Sequence, residues 1–301
     1  MLAQFASKGP WQTALVASST LTLGAVLPPF MWFSAAAIAM YLMRHGWRSG
    51  ALAIGLSALA AMAFHALVPG GALPAGPAFA LYTGAVFWGP VIVVALVLRA
   101  TVSLELATLA AYGIALLVVV GVYVFVDSPP AMWRDYMGRF VEASAPTAPA
   151  ESVNATVDAL ARFGTGMLAS GFLMNTLIGL YLGRSWQARV YQPGGFRESF
   201  HALNLPANVR VALAGVALLA WFGDSDIAYG LALPSVMVLL VQGLAIAHGV
   251  VGIRQLGMGW LIALYIAAIF PHTIVLIALI AVVDIKLDFR GRAKANRKTE
   301  N

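Results

Sequence analysis

Residues 103–126 read SLELATLAAYGIALLVVVGVYVFV, and the fold class turns on that stretch. After Glu105 no charge occurs until Asp127. About 20 consecutive apolar residues suffice for an α-helix to cross the ~30 Å hydrocarbon core of a bilayer. The run is continuous rather than alternating, which favours a helix over a strand of a membrane barrel. Backbone at that depth must satisfy its own hydrogen bonds, and only helices and closed barrels do so. The stretch therefore predicts a membrane-spanning helix.

The rest of the chain repeats the pattern. Apolar runs occupy Gly50–Val68, Phe79–Leu98, Val157–Gly183 and Ile227–Val250, with a shorter one at Val211–Phe222. Two more, Gln12–Met43 and Gly257–Ile285, are interrupted by Pro28-Pro29 and by Pro271. Of the 301 residues 61% are hydrophobic and 10% charged, against about 25% charged in a soluble domain. The expected fold is an all-α, polytopic transmembrane helical bundle of about 8–10 spans, two of its stretches being proline-broken hairpins.

Charge sets the expected topology. Lys and Arg near membrane ends mark the cytoplasmic side. Lys8, Arg44 and Arg48 flank the first broken stretch, while Arg254 and Lys286 flank the second. Each stretch could be one long kinked helix that crosses once, but the charges favour a hairpin that goes out and returns, with Pro28-Pro29 and Pro271-His272 as outer apices. Threading the chain this way puts 15 of the 18 Lys and Arg inside, all but Arg134, Arg139 and Arg162. The N and C termini fall in the cytoplasm, and the expected location is the bacterial cytoplasmic (inner) membrane, multi-pass. Residues 1–286 form the transmembrane domain, with an outer loop at 127–156 and a basic inner loop at 184–210; residues 287–301 form a basic tail. The net charge of +6 is read as this inside bias, not as a nucleic-acid face, since no basic surface with interleaved aromatics occurs.

The loops carry local signals. Ser128-Pro129-Pro130 reads as a helix start. Met132, Trp133, Tyr136, Met137, Phe140 and Val141 then recur at helical spacing, opposite Arg134, Asp135, Arg139 and Glu142, which predicts an amphipathic interfacial helix. Ser144–Pro149 reads as an Ala/Pro-rich linker. Gln192-Pro193-Gly194-Gly195 predicts a turn, and Phe196, Phe200 and Leu203 a short helix after it.

Chemistry-bearing motifs are sparse. There is no cysteine, which excludes disulfides, thiolate catalysis and cysteine-ligated metals. Neither a phosphate-cradling glycine loop, nor a nucleophile elbow, nor a helical zinc-binding histidine pair is present. No catalytic residue, metal site or cofactor is expected, and the chain reads as a non-enzyme. What remains is a few polar residues at membrane depth, where they are costly and face the bundle interior. His65, Asn175 and Gln242 are the candidate ligand-binding residues, weighed against interhelical packing. Asp158 and Arg162, four apart, are expected to pair on one helix face. Asp284, Asp288 and Arg290 at the membrane exit, with Phe196 and Arg197 of the inner loop, are candidate structural or partner-docking residues; an Asp288–Arg197 pair is the specific expectation.

Gln192-Pro193-Gly194-Gly195-Phe196-Arg197-Glu198-Ser199-Phe200-His201-Ala202-Leu203 and Val283-Asp284-Ile285-Lys286-Leu287-Asp288-Phe289-Arg290 resemble the YybS-like bacterial membrane proteins, a family of unknown function. Through that family the chain is distantly similar to the S components of energy-coupling-factor vitamin transporters. The resemblance implies a helical bundle that holds a small solute near the outer face. It also implies docking on a membrane partner through an Ala-x-x-x-Ala spacing, which Ala35 and Ala39 match. Two functions follow as alternatives. One is small-solute binding or transport. The other is a membrane scaffold or assembly factor acting through cytoplasmic loops on a membrane or cytoplasmic protein partner.

Overall fold

A computed structural model describes residues 1–67, 76–144, 150–223 and 225–300. Most of the uncharged loop expected at 69–77, the linker at 145–149 and Asp224 lie outside the described residues. Among those described there are thirteen helices and no strand. They are α1 (Leu2–Ala6), α2 (Pro10–Gly24), α3 (Phe30–Leu67), α4 (Gly76–Thr101), α5 (Leu104–Phe125), α6 (Pro129–Ser144), α7 (Ala150–Tyr191), α8 (Gly195–Ala202), α9 (Ala207–Phe222), α10 (Asp226–Ile253), α11 (Gly259–Ala267), α12 (Pro271–Leu287) and α13 (Phe289–Glu300).

Large apolar side chains point outward along these helices. Leu117, Val124, Phe125, Leu219 and Ile269 are all exposed. A surface of that kind is stable only where the solvent is lipid. Five helices, α3, α4, α5, α7 and α10, are long and apolar enough to cross a membrane, or up to seven if each bent pair of helices counts as one span. The chain is an all-α, multi-pass membrane protein. The number seven takes α3 as one helix although it breaks at Gly46, and leaves out the 15-residue α2.

The chain divides into two compact units, Met1–Ala111 with Met174–Phe200, and Tyr112–Leu173 with His201–Asn301. Helices α5, α7 and α8 contribute to both. The 42 residues of α7 are about twice the number that a crossing needs.

In the first unit, α2 and α3 form the expected hairpin around Pro28-Pro29. Gly24 permits it, because a Cβ there would stand 2.4 Å from Met31 Cγ. With 15 residues, α2 rises only about 22 Å and does not reach the length of a full span by itself. Ser34 Oγ donates to Ala17 O at 2.6 Å and accepts from Trp88 Nε1 at 2.9 Å, tying α2, α3 and α4 together. Helix α3 breaks at Gly46, whose φ of 75° suits glycine. The broken end leaves carbonyls without helical partners, and Arg99 Nη1 donates to two of them, Met43 O at 2.7 Å and Arg44 O at 2.8 Å. Gly179 and Gly183 of α7 lie on the alanine stripe of α3, where added Cβ atoms would come within 2.7 Å of Ala35 Cβ and 2.9 Å of Ala39 Cβ. Ala35 and Ala39 are wholly buried in this contact. The spacing implied to dock a partner is spent on internal helix packing.

In the second unit, α10 packs on α9, α12 and α13. Gly243 allows α10 to meet α12, since a Cβ there would overlap Ile277 O at 2.1 Å. Helices α11 and α12 are bent by 118° at the break before Pro271. The nine residues of α11 rise about 14 Å, too short to cross. This stretch is therefore not a hairpin of two full crossings. Its two flanks nonetheless share one end of the unit, where Arg297 Nη1 donates to Ile253 O at 3.1 Å. The basic tail is a helix, α13, of this unit.

Candidate functional site

The three expected ligand-binding residues have different surroundings. His65 is buried on α3, where Nδ1–H donates to Ala61 O at 3.0 Å and the ring lies 6.3 Å from that of Phe79. One face of its chemistry is thus used within its own helix. Gln242 is wholly buried on α10. Its Oε1 accepts from Leu205 N at 2.8 Å and its Nε2 donates to Leu203 O at 3.2 Å. Both ends of that amide hold the 203–205 segment in place, and this is a structural role in place of the expected ligand contact. The backbone there has left helix α8 and has no ladder of its own, so a side chain must supply the bonds.

Asn175 is the exception. It lies in the part of α7 that belongs to the first unit and is 8% exposed. Its Oδ1 and Nδ2 are both buried and neither has a hydrogen-bond partner. It stands one turn before Gly179 on the face that packs on Ala35 and Val91. An amide carries two donors and two acceptor lone pairs, and a buried polar group left unpaired costs about 1–3 kcal/mol.

The docking candidates divide as well. Phe196 stacks on Phe200 at 5.8 Å and meets Tyr181 at 6.1 Å, so its apolar face is used inside the first unit. Tyr181 in turn shares a 2.6 Å hydrogen bond with Thr108. Arg197 is exposed and makes no ion pair among the described residues. The expected Asp288–Arg197 pair is replaced by a buried one. Arg210, at the start of α9, places Nη1 3.0 Å from Ala281 O and 3.4 Å from Asp284 Oδ2, with both side chains almost fully buried. Asp284 Oδ1 also accepts from Phe289 N at 2.9 Å, and Asp288 Oδ1 from Gly291 N at 3.0 Å, so the two carboxylates shape the α12–α13 junction. Arg290 donates from Nη1 to His201 O and Leu203 O, each at 2.9 Å, and from Nη2 to Asn204 Oδ1 at 3.0 Å. The C-terminal motif thereby clamps the end of the inner loop.

At the opposite end of the second unit, Asp158 is held by Arg134 at 2.7 Å, and Arg162 reaches Asp226 at 4.0 Å while covering the Tyr229 ring. Asp158 therefore takes its charge partner from α6, where a partner on its own helix was expected. Helix α6 is anchored by Trp133, whose Nε1 donates to Thr165 Oγ1 at 2.8 Å. Its Tyr136 and Phe140 stay exposed, as suits an interfacial helix. The neighbouring Arg139 guanidinium holds the exposed Asp135 carboxyl below its ordinary pKa.

A cavity of about 610 Å³ opens in the second unit between α10, α11, α12 and α13. Its walls include Val250, Leu261, Leu264 and Ile280, and Arg254 and Arg292 are its charged lining residues. Helix α11 is tied beside it by His248 Nε2 and Tyr265 Oη at 2.9 Å. Three arginines were read from the sequence only as topology markers and have specific structural positions: Arg99, Arg184 and Arg210. Charge counting along loops gives no signal for this. Arg210 is distinguished by burial and distant partners, Arg99 by its bonds to the backbone of α3, and Arg184 by its bond to Gln187. None of the known protein families, curated proteins or solved structures compared with the chain matches it.

Proposed function

We propose that this chain is a solute-binding protein of the bacterial cytoplasmic membrane, with both termini in the cytoplasm, and that a small polar solute is held at Asn175. The observation that carries this reading is the buried, wholly unpartnered Asn175 amide. Gln242, the other buried amide on a long apolar helix, is paired at both ends by contrast. The resemblance to S components of vitamin transporters supports the same reading. The proposed role is binding or transport rather than catalysis.

The test is thermal denaturation of the purified protein against a panel of small polar solutes, repeated with Asn175→Leu. At least one solute should raise the melting temperature of the wild type. Its affinity should fall about tenfold or more in the variant, equivalent to roughly 1.4 kcal/mol. Unchanged affinity in a folded variant removes Asn175 from the site.

The scaffold reading has an observation of its own. Arg292 and Lys294 on α13 of the second unit and, separately, Arg197 on α8 of the first are exposed. A stoichiometric protein partner that is retained by the wild type and lost when Arg197, Arg292 and Lys294 are replaced by glutamine, with no solute effect, would favour it.

A further inference from the structure

The first unit contains a second, chemically distinct cavity of about 230 Å³. It opens where α4 ends and α5 begins, against the last turns of α7 and the start of α8. Its polar lining is Arg99, Arg184, Gln187, Gln192 and Ser199. Its apolar wall includes Met43, Leu98 and Val102, and Val102 is 84% exposed at the edge.

The two guanidinium groups in this cavity are positioned but not neutralised. Arg99 is fixed by its bonds to Met43 O and Arg44 O, and the missing side chain at Gly46 makes room for it; a Cβ there would lie 3.1 Å from Arg99 Nε. Arg184 Nη1 donates to Gln187 Oε1 at 3.0 Å. Neither arginine has a carboxylate partner among the described residues. The unit as a whole carries seven basic residues, Lys8, Arg44, Arg48, Arg99, Arg184, Arg189 and Arg197, against Glu105 and Glu198. Glu105 Oε2 accepts from Ser103 Oγ at 2.9 Å.

Two uncompensated guanidinium groups lining one half-enclosed space repel each other unless an anion lies between them. The planar fork of arginine matches the paired oxygens of phosphate, and such bonds are about twice as strong as neutral ones. Gln187, Gln192 and Ser199 add neutral hydrogen-bonding groups. The apolar wall that runs out to Val102 suits the glycerol and first methylenes of an amphiphile, which a free inorganic ion lacks. Basic pockets between membrane helices at the headgroup level recognise phosphate in this manner.

We propose that this cavity binds a phosphate oxyanion, and that the phosphate is the headgroup of an anionic phospholipid in the leaflet facing the basic end of the unit. The inference is independent of the Asn175 reading, because it uses different residues and a different ligand class.

The experiment is a melting-temperature titration of the full-length protein in a neutral detergent, with three additions: phosphatidylglycerol, phosphatidylcholine and inorganic phosphate. Phosphatidylglycerol should raise the melting temperature saturably, and phosphatidylcholine should not. Arg184→Gln should raise the half-saturating lipid fraction about tenfold or more, Arg184→Lys by less, because it keeps charge and loses only the fork. Lys8→Gln, whose side chain is exposed and outside the cavity, should leave the titration unchanged. Equal stabilisation by the two lipids, or an Arg184→Gln titration that matches the wild type, overturns the site. A phosphate effect at millimolar concentration equal to that of the lipid overturns the lipid assignment in favour of a soluble phosphate compound. If Arg184→Gln fails to fold, the Arg184→Lys curve and the wild-type contrast between lipids decide the matter.

Discussion

Two buried amides at membrane depth are treated in opposite ways. In the second unit Gln242 gives both ends of its side chain to the backbone of Leu203 and Leu205. In the first unit Asn175 has both ends buried and gives them to nothing. The chemistry of the two groups is the same, and each lies on a long apolar helix. Only an account of partners separates a residue that builds the fold from one that keeps hydrogen bonds in reserve. The rest of the second unit tends the same way as Gln242. Arg210 and Asp284 neutralise each other in the interior, although Arg210 Nε keeps no partner. In the first unit, Arg99 and Arg184 face a cavity and have no carboxylate partner among the described residues.

The largest effect that sharpens this contrast is expected at Asp284. Asp284→Ala leaves the Arg210 guanidinium buried without a counter-charge, and breaking a buried pair from one side costs about 3–5 kcal/mol. Thermal or denaturant unfolding in detergent measures it. A loss below about 1 kcal/mol would show that water reaches the pair, and that the buried polar groups of the second unit do not hold its fold.

Next in size is a pair of substitutions with opposite signs. Gln242→Leu orphans Leu205 N–H, and should lower stability by about 1–3 kcal/mol. Asn175→Leu removes a group that is already orphaned. The side chain keeps roughly its volume and loses a desolvation penalty, so the ligand-free protein should gain stability, by up to about the same amount. Melting both variants without added solute reads the two signs directly. If both destabilise, Asn175 has a protein partner after all and the contrast between the amides fails.

Some of this was legible in the chain and some was not. The helical membrane class follows from uninterrupted runs such as 103–126, because neither barrels nor soluble domains write that pattern. The hairpin at Pro28-Pro29 and the turn at Gln192–Gly195 were legible for a local reason: proline and glycine fix backbone angles regardless of what surrounds them. Gly194, with φ of 89°, is such a case. The position of the break before Pro271 was legible, and so was the shortness of α11: the 29 residues of Gly257–Ile285 are too few for two crossings of about 20 each. Pairings were invisible. Arg197 and Arg210 lie in one basic loop and look alike in sequence, yet 74 residues separate Arg210 from the carboxylate that buries it. Likewise, nothing in the local sequence of Asn175 or Gln242 says which of them meets a carbonyl from a distant loop.

The smallest effect concerns Asp288, where two local terms oppose. Its backbone is left-handed, with φ 42° and ψ 63°, a region that costs a residue with a Cβ roughly 1–2 kcal/mol and glycine almost nothing. Its side chain accepts from Gly291 N at the start of α13, and losing a cap of that kind to alanine costs about 1 kcal/mol, but to glycine only a few tenths. Asp288→Ala keeps the backbone cost and loses the cap, so it should destabilise by about 1 kcal/mol. Asp288→Gly loses the same bond but relieves the backbone, and should lie near the wild type or slightly above it. Charge reversal at Arg197 should not rescue Asp288→Lys, because Arg197 is not the partner. Recovery of Asp288→Lys by Arg197→Glu would instead mean that the C-terminal junction is held by a surface ion pair. The second unit would then owe part of its stability to the kind of exposed charge that the buried Gln242 and Asp284 contacts make unnecessary.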